Sequence, residues 1–202
     1  MDAKQFLAEF GHIANAPGGV AKLRQMIYQL AVTGSLTPRS AEEKDANILL
    51  IEIGFARKRL IHENKYKRML KLESEAIKLP SEIKLPESWC WTRLIDIGEI
   101  NPRNDLPDDQ LAAFLPMSGV PQIHRGPILV ETIKWEKIKK GYTHFANNDV
   151  VLAKITPCFE NGKATIILDL PIKSGIGAGT TELLVFRPIH KGKYSIKSYL
   201  VF

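Results

Sequence analysis

The chain has 202 residues, 45% hydrophobic and 25% charged, enough apolar material for a core of ordinary size, and its net charge of +6 favours an anionic partner. Residues 1–88 and 89–202 each carry 14 basic and 11 acidic groups, so neither half is a basic tail. Cys90 and Cys158 form no CxxC or Cys/His group, which argues against a disulfide framework or zinc site and fits a reducing cytoplasm; no apolar run approaches the ~20 residues of a membrane span.

Residues 1–33 read as helical, broken at Ala16-Pro17-Gly18-Gly19. Val20, Leu23, Ile27, Leu30 and Ala31 then recur at three- and four-residue spacing, a stripe that packs either on the chain's own core or on a partner helix. Gly34 and Pro38 stop this helix. A second helical pattern runs from Ala41 to about Lys78, with Asp45 as a first-turn acid. It carries Arg57, Lys58, Arg59, Lys65, Lys67, Arg68 and Lys71, either a solvated face or a track for phosphates. Leu79-Pro80 and Leu85-Pro86 bracket a linker, because each proline pushes its predecessor out of helical geometry. The period-two run Trp89-Cys90-Trp91-Thr92 then predicts a first strand with both indoles on one core-facing side, and Arg93 and Asp96 read as a surface pair.

Residues 101–140 show the weakest regular pattern and the loop signals Asn101-Pro102, Leu106-Pro107, Val120-Pro121 and Gly126-Pro127. They also hold Arg103, Asn104, Gln122, His124, Arg125, Lys134, Lys137, Lys139 and Lys140, side chains able to donate to phosphates and base edges. From Asn147 onward the pattern sharpens. Val150–Ile155 reads as a buried strand and Ala164–Leu168 as its hairpin partner, with Pro157 ending the first strand and Asn161-Gly162 supplying the left-handed turn. Lys154 interrupts the apolar run, Lys163 sits at the turn, and with Thr156 they are candidates for phosphate contact. Gly175, Gly177 and Gly179 form GxGxG without the spacing of a dinucleotide or P-loop motif, so tight turns are expected there; Leu183–Phe186 reads as a last strand.

Four segments in order resemble the specificity (S) subunits of type I restriction-modification systems: Gly18-Gly19-Val20-Ala21-Lys22-Leu23-Arg24 with Leu30-Ala31-Val32-Thr33-Gly34; Leu85 to Leu94; Asp149-Val150-Val151-Leu152-Ala153-Lys154-Ile155-Thr156-Pro157-Cys158 with Glu160-Asn161-Gly162-Lys163-Ala164; and Gly175 to Leu183 with Phe186-Arg187-Pro188. The resemblance implies a subunit that reads double-stranded DNA through target recognition domains and hands a bipartite site to methyltransferase (M) and restriction (R) subunits. It implies partner contact through Leu23, Ile27 and Leu30. Because family members share the central signature yet read different DNA, base reading is expected from residues 101–140. Arg103 and Arg125 are the candidates for guanine, Asn104 and Gln122 for adenine.

The expected architecture is α/β in the α+β sense: a helical region and linker over residues 1–80, and a mixed-sheet recognition domain over residues 81–202. Since the resemblance implies a second recognition domain and further long helices, the chain is expected to stop inside the first domain's last helix. No nucleophile, metal or acid/base motif stands out, and no Asn-Pro-Pro-aromatic tetrapeptide is present. The chain is therefore expected to be non-catalytic and without a cofactor or metal of its own, S-adenosylmethionine, ATP and magnesium being implied only for partner subunits. Two other readings stand beside this one: an interaction remnant that docks the methyltransferase subunit without reading DNA, and an enzyme with a phosphate site at the glycine loop.

Overall fold

The computed structural model describes residues 3–37, 45–66, 85–122 and 126–189. They divide into two units, one of residues 3–37, 45–49 and 85–91, the other of residues 50–66, 92–122 and 126–189.

In the first unit, α1 (Ala3–Asn15) and α2 (Gly19–Val32) are separated at Pro17, as the sequence predicts. Gly18 takes a left-handed φ of 72°, and a Cβ on Gly19 would lie 1.8 Å from the Ile13 carbonyl oxygen, so the close reversal requires both glycines. At the far end of α2, Gly34 (φ 69°) donates to the Ala31 carbonyl and Ser35 to the Leu30 carbonyl, satisfying two carbonyls that the helix leaves open. Val20 and Ile27 of the apolar stripe are about half exposed, and Leu23 and Leu30 are half-buried, so the stripe is not sealed in a core. Helix α3 (Ala46–His62) starts at Asp45, whose Oδ1 accepts the Asn47 N–H at 2.8 Å: the residue caps the helix rather than lying in its first turn.

The helix expected to run to Lys78 stops at His62. Asn64 adopts a φ of 53°, while its N–H and that of Lys65 close back on the carbonyls of Ile61 and Leu60. The cluster members Lys67, Arg68 and Lys71 lie outside the described residues. From Leu50 onward α3 belongs to the second unit. There Ile53 is buried, Arg57 lies over the Tyr66 ring, and the Tyr66 hydroxyl donates to the Gly98 carbonyl at 2.6 Å.

The second unit holds two four-stranded sheets. The first, in the order β1 (Gly98–Ile100), β8 (Leu183–Pro188), β5 (Val150–Ala153), β6 (Ala164–Ile166), is antiparallel throughout. The second, in the order β3 (Glu131–Lys134), β2 (Leu111–Leu115), β7 (Ile176–Gly179), β4 (Thr143–Ala146), is mixed, with β2 and β7 parallel. Ala113, Leu115 and Phe145 of the second sheet join Val151, Leu183 and Val185 of the first in one core, where each fully buried Val, Leu or Phe contributes ~1.5–3 kcal/mol. The alternate residues of the second sheet, Ala112 and Ala178, pack under Trp135 and Ile138 of the short helix α5 (Trp135–Ile138). The fold is α+β.

Several expected elements differ. The stretch Trp89–Thr92 is irregular, and Trp91 is 42% exposed; the first strand is β1, reached after the short helix α4 (Leu94–Ile97). Arg93 and Asp96 do pair, with Nε 2.6 Å from Oδ2. Residues 101–140, read as mainly loop, contain β2, β3, α5 and a 3-10 turn (Met117–Gly119); their strands are short, β2 is apolar throughout without alternation and β3 holds a single apolar residue, so neither gives a period-two signal. The glycine run is a central strand rather than a set of turns. Only Gly175 has a left-handed φ, of 61°, whereas a Cβ on Gly177 would sit 2.4 Å from the Ala113 carbonyl oxygen and one on Gly179 2.5 Å from the Leu183 side chain. Those backbones are committed to the sheet, which removes the phosphate-cradle reading.

Candidate nucleic-acid interface

The predicted β5–β6 hairpin exists, with register Val150 to Ile166 and Leu152 to Ala164, but the connection is a helix, α6 (Thr156–Glu160). Pro157 does not end the strand. It occupies the first helical turn, where its missing N–H costs nothing and its fixed φ favours the helix. Asn161 caps α6 and Gly162 alone is left-handed, at φ 66°; the N–H groups of Gly162 and Lys163 return to the carbonyls of Phe159 and Cys158.

This geometry gathers several predicted residues at one end of the first sheet. Gln122 forms an isolated antiparallel bridge to Lys163, the Ala153 N–H donates to the Lys163 carbonyl, and the Lys154 N–H donates to the Glu182 carbonyl. Gln122, Lys163, Lys154 and Glu182 thus follow one another across the sheet. Gln122, Lys154 and Thr156 are exposed, while Lys163 is half-buried with its ammonium donating to the Met117 carbonyl at 2.9 Å. Lys154 thus carries its charge at the surface, where a phosphate can be met without any sequence information, whereas the Lys163 ammonium is already taken up by a backbone carbonyl.

A second group forms around His144 on β4. The Asn104 N–H donates to His144 Nδ1 at 3.1 Å, and the Asn104 side chain donates to the Phe145 carbonyl at 2.8 Å. His144 Nε2 lies 3.0 Å from the Lys139 carbonyl oxygen and 3.4 Å from Arg103 Nη1, which donates to the Tyr142 carbonyl at 3.3 Å. The imidazole is edge-on to Trp135, 4.7 Å between centroids. Burial holds its pKa below the ordinary histidine value, opposed by the hydrogen bond with the Lys139 carbonyl and reinforced by the Arg103 charge. Lys139 itself is bound to Asp108 at 2.6 Å. Lys134, Lys137 and Lys140 are exposed around α5, whereas His124 and Arg125 lie outside the described residues.

Sequence reasoning missed the group that ties the two sheets' ends together. Asp149, 1% exposed, accepts the Ala146 N–H and takes a two-point ion pair from Arg187, with Nε and Nη2 at 2.8 and 2.7 Å. The same Arg187 Nη2 donates to Asn104 Oδ1 at 2.9 Å. The signals were an acid directly before a fully apolar strand and a lone arginine inside one, each costly unless paired. Among the described residues no group of three or more His, Cys, Asp or Glu is placed to hold a metal ion, and no helix is long and apolar enough to cross a membrane.

Lys154, Gln122 and Arg103 are thus exposed, while Asn104 is engaged with protein partners. No family model matches the sequence. Individual proteins do match: the chain is 45% identical over 171 residues to the type I restriction enzyme EcoAI specificity subunit of Escherichia coli, covering 84% of this chain and 28% of that protein. It is 42% identical over 175 residues to the EcoEI specificity subunit of the same organism, covering 85% and 28%. The chain is thus a relative of type I restriction enzyme specificity subunits and spans just over a quarter of their length.

Proposed function

We propose that this chain reads one half of a bipartite DNA site for a type I restriction-modification complex and presents it to methyltransferase subunits. The observation that carries this reading is the identity of 45% over 84% of the chain. On this reading residues 1–80 are the helical region, whose α3 from Leu50 onward packs with the sheets, and residues 81–202 the recognition domain. Lys154, Lys163, Thr156 and the exposed lysines 134, 137 and 140 supply phosphate contacts; Arg103, Gln122, His124 and Arg125 are the base-reading candidates. Asn104 and Lys139 stand close by, already engaged with protein partners. The half-exposed stripe of Leu23, Ile27 and Leu30 seats the methyltransferase subunit, and the restriction subunit joins the full complex. The chain acts in the cytoplasm and catalyses nothing itself: S-adenosylmethionine, ATP and magnesium belong to the partners.

Duplex binding titrated against salt tests the phosphate part of this reading. Affinity is expected to fall steeply, the slope changing by about −0.9 for each phosphate neutralised, and Lys154→Ala or Lys163→Ala is expected to flatten it by about one unit without altering sequence preference. Affinity that ignores salt would contradict the reading.

A further inference from the structure

Resting on the DNA-reading role, we propose that His144, Asn104 and the Asp149–Arg187 pair are positioning residues that aim Arg103 at a base edge. Residues 101–104 leave β1 through Asn101, which takes a φ of 49° and bonds to Val185 in both directions, N–H to carbonyl at 2.8 Å and Val185 N–H to Oδ1 at 3.0 Å. Pro102 is fully buried. Asn104 is then pinned on three sides: its N–H by His144, its amide NH2 by the Phe145 carbonyl and its Oδ1 by Arg187. An amide so engaged is an anchor. Arg103, beside it, is exposed and among the described residues is held through Nη1 alone, which leaves the Nε–Nη2 edge to meet two acceptors side by side, the geometry of guanine O6 and N7.

The hydrogen bonds fix the tautomer of His144. A backbone N–H only donates, so Nδ1 accepts from Asn104; a carbonyl only accepts, so Nε2 carries the proton towards Lys139. Adding a proton at Nδ1 removes the acceptor that Asn104 needs. The imidazolium then faces Arg103 and Arg187, the latter neutralised by Asp149, while the ammonium of Lys139, whose carbonyl meets Nε2, is paired with Asp108. Neutral His144 therefore holds the Arg103 turn, and charged His144 releases it.

The test uses the full chain and four variants, Arg103→Ala serving as the reference for base preference. Arg187→Lys keeps a positive charge for Asp149 but loses the fork that also reaches Asn104. His144→Asn keeps an acceptor for the Asn104 N–H that does not titrate, and His144→Leu keeps none. In Arg187→Lys and His144→Leu, amide hydrogen exchange at Asn104 is expected to quicken about tenfold or more, as loss of a strong hydrogen bond implies, with exchange on β5 unchanged. In selection from random duplexes, the base preference that Arg103→Ala abolishes is expected to relax in the same two variants with the salt slope intact. That preference is expected to fade in the wild type as pH falls below the ordinary histidine value of about 6.5, and to persist in His144→Asn. Unchanged exchange at Asn104 overturns the clamp; quickened exchange with full base preference overturns its role in aiming Arg103. If the wild type prefers no sequence, the DNA-reading role fails and with it the aiming role, and the exchange data alone then show whether the clamp exists.

Discussion

Asp149 shows how much a single side chain carries. Its carboxylate is 2% exposed and holds Arg187, the Ala146 amide and through them the ends of β4, β5 and β8. Asp149→Ala strands a guanidinium that is 30% exposed, so the loss of stability is expected near the lower end of the ~3–5 kcal/mol seen when buried pairs are broken, read from the urea midpoint. Gly177→Val fails for a steric reason, with backbone oxygen and the Phe145 ring already where the new Cβ must go; the expected outcome is loss of the cooperative unfolding transition. His144 adds a pH dependence. Its folded pKa lies below the unfolded one, so as pH falls the unfolded chain binds the proton first and stability declines between about 6.5 and the lowered folded value; above that window both states are neutral and the term vanishes. Thermal melts at pH 7.5 and 5.5 are expected to converge in His144→Asn. The sequence marked Arg103 and Asn104 as neighbours of one kind, yet the fold separates them into a displayed cation and a saturated amide. That difference lies in partners 40 and 83 positions away, which no local spacing reveals.

Among elements, the connection between β5 and β6 is the most instructive. Asn161-Gly162 announced a left-handed residue, and Gly162 is one, but it terminates α6 instead of turning a two-residue hairpin. Asn64 and Gly34 do the same for α3 and α2. Gly162→Ala is therefore expected to cost about 1 kcal/mol through backbone strain, with the hairpin register preserved, as chemical denaturation and strand amide shifts would report. Elements carried by helical periodicity, α1 and α2, were legible because Pro17 and two glycines punctuate them. Strands were legible where apolar residues are continuous, as in Val150–Ala153. They were hidden where a strand is built mainly from alanine and glycine, as in β7, because small residues chosen for close sheet contact carry little hydrophobic signal. The tryptophan pair misled for the opposite reason: large aromatic residues in alternation imitate a strand that the chain does not form there.

At the scale of the whole molecule, the chain divides into a helical unit and a two-sheet unit, and 84% of it matches a specificity subunit about three times its length. The even spread of charge noted in the sequence fits this organisation, since the cations at the sheet ends are presented by turns rather than by a basic tail. On the proposed function, these 202 residues read a DNA half-site. Selection from a random duplex library at physiological salt, with the purified chain alone and with its cognate methyltransferase subunit, tests it most directly. The predicted result is enrichment of one short ungapped sequence, lost in Arg103→Ala. A folded chain that enriches nothing in either condition would contradict the claim and leave the helical unit's docking face as its function.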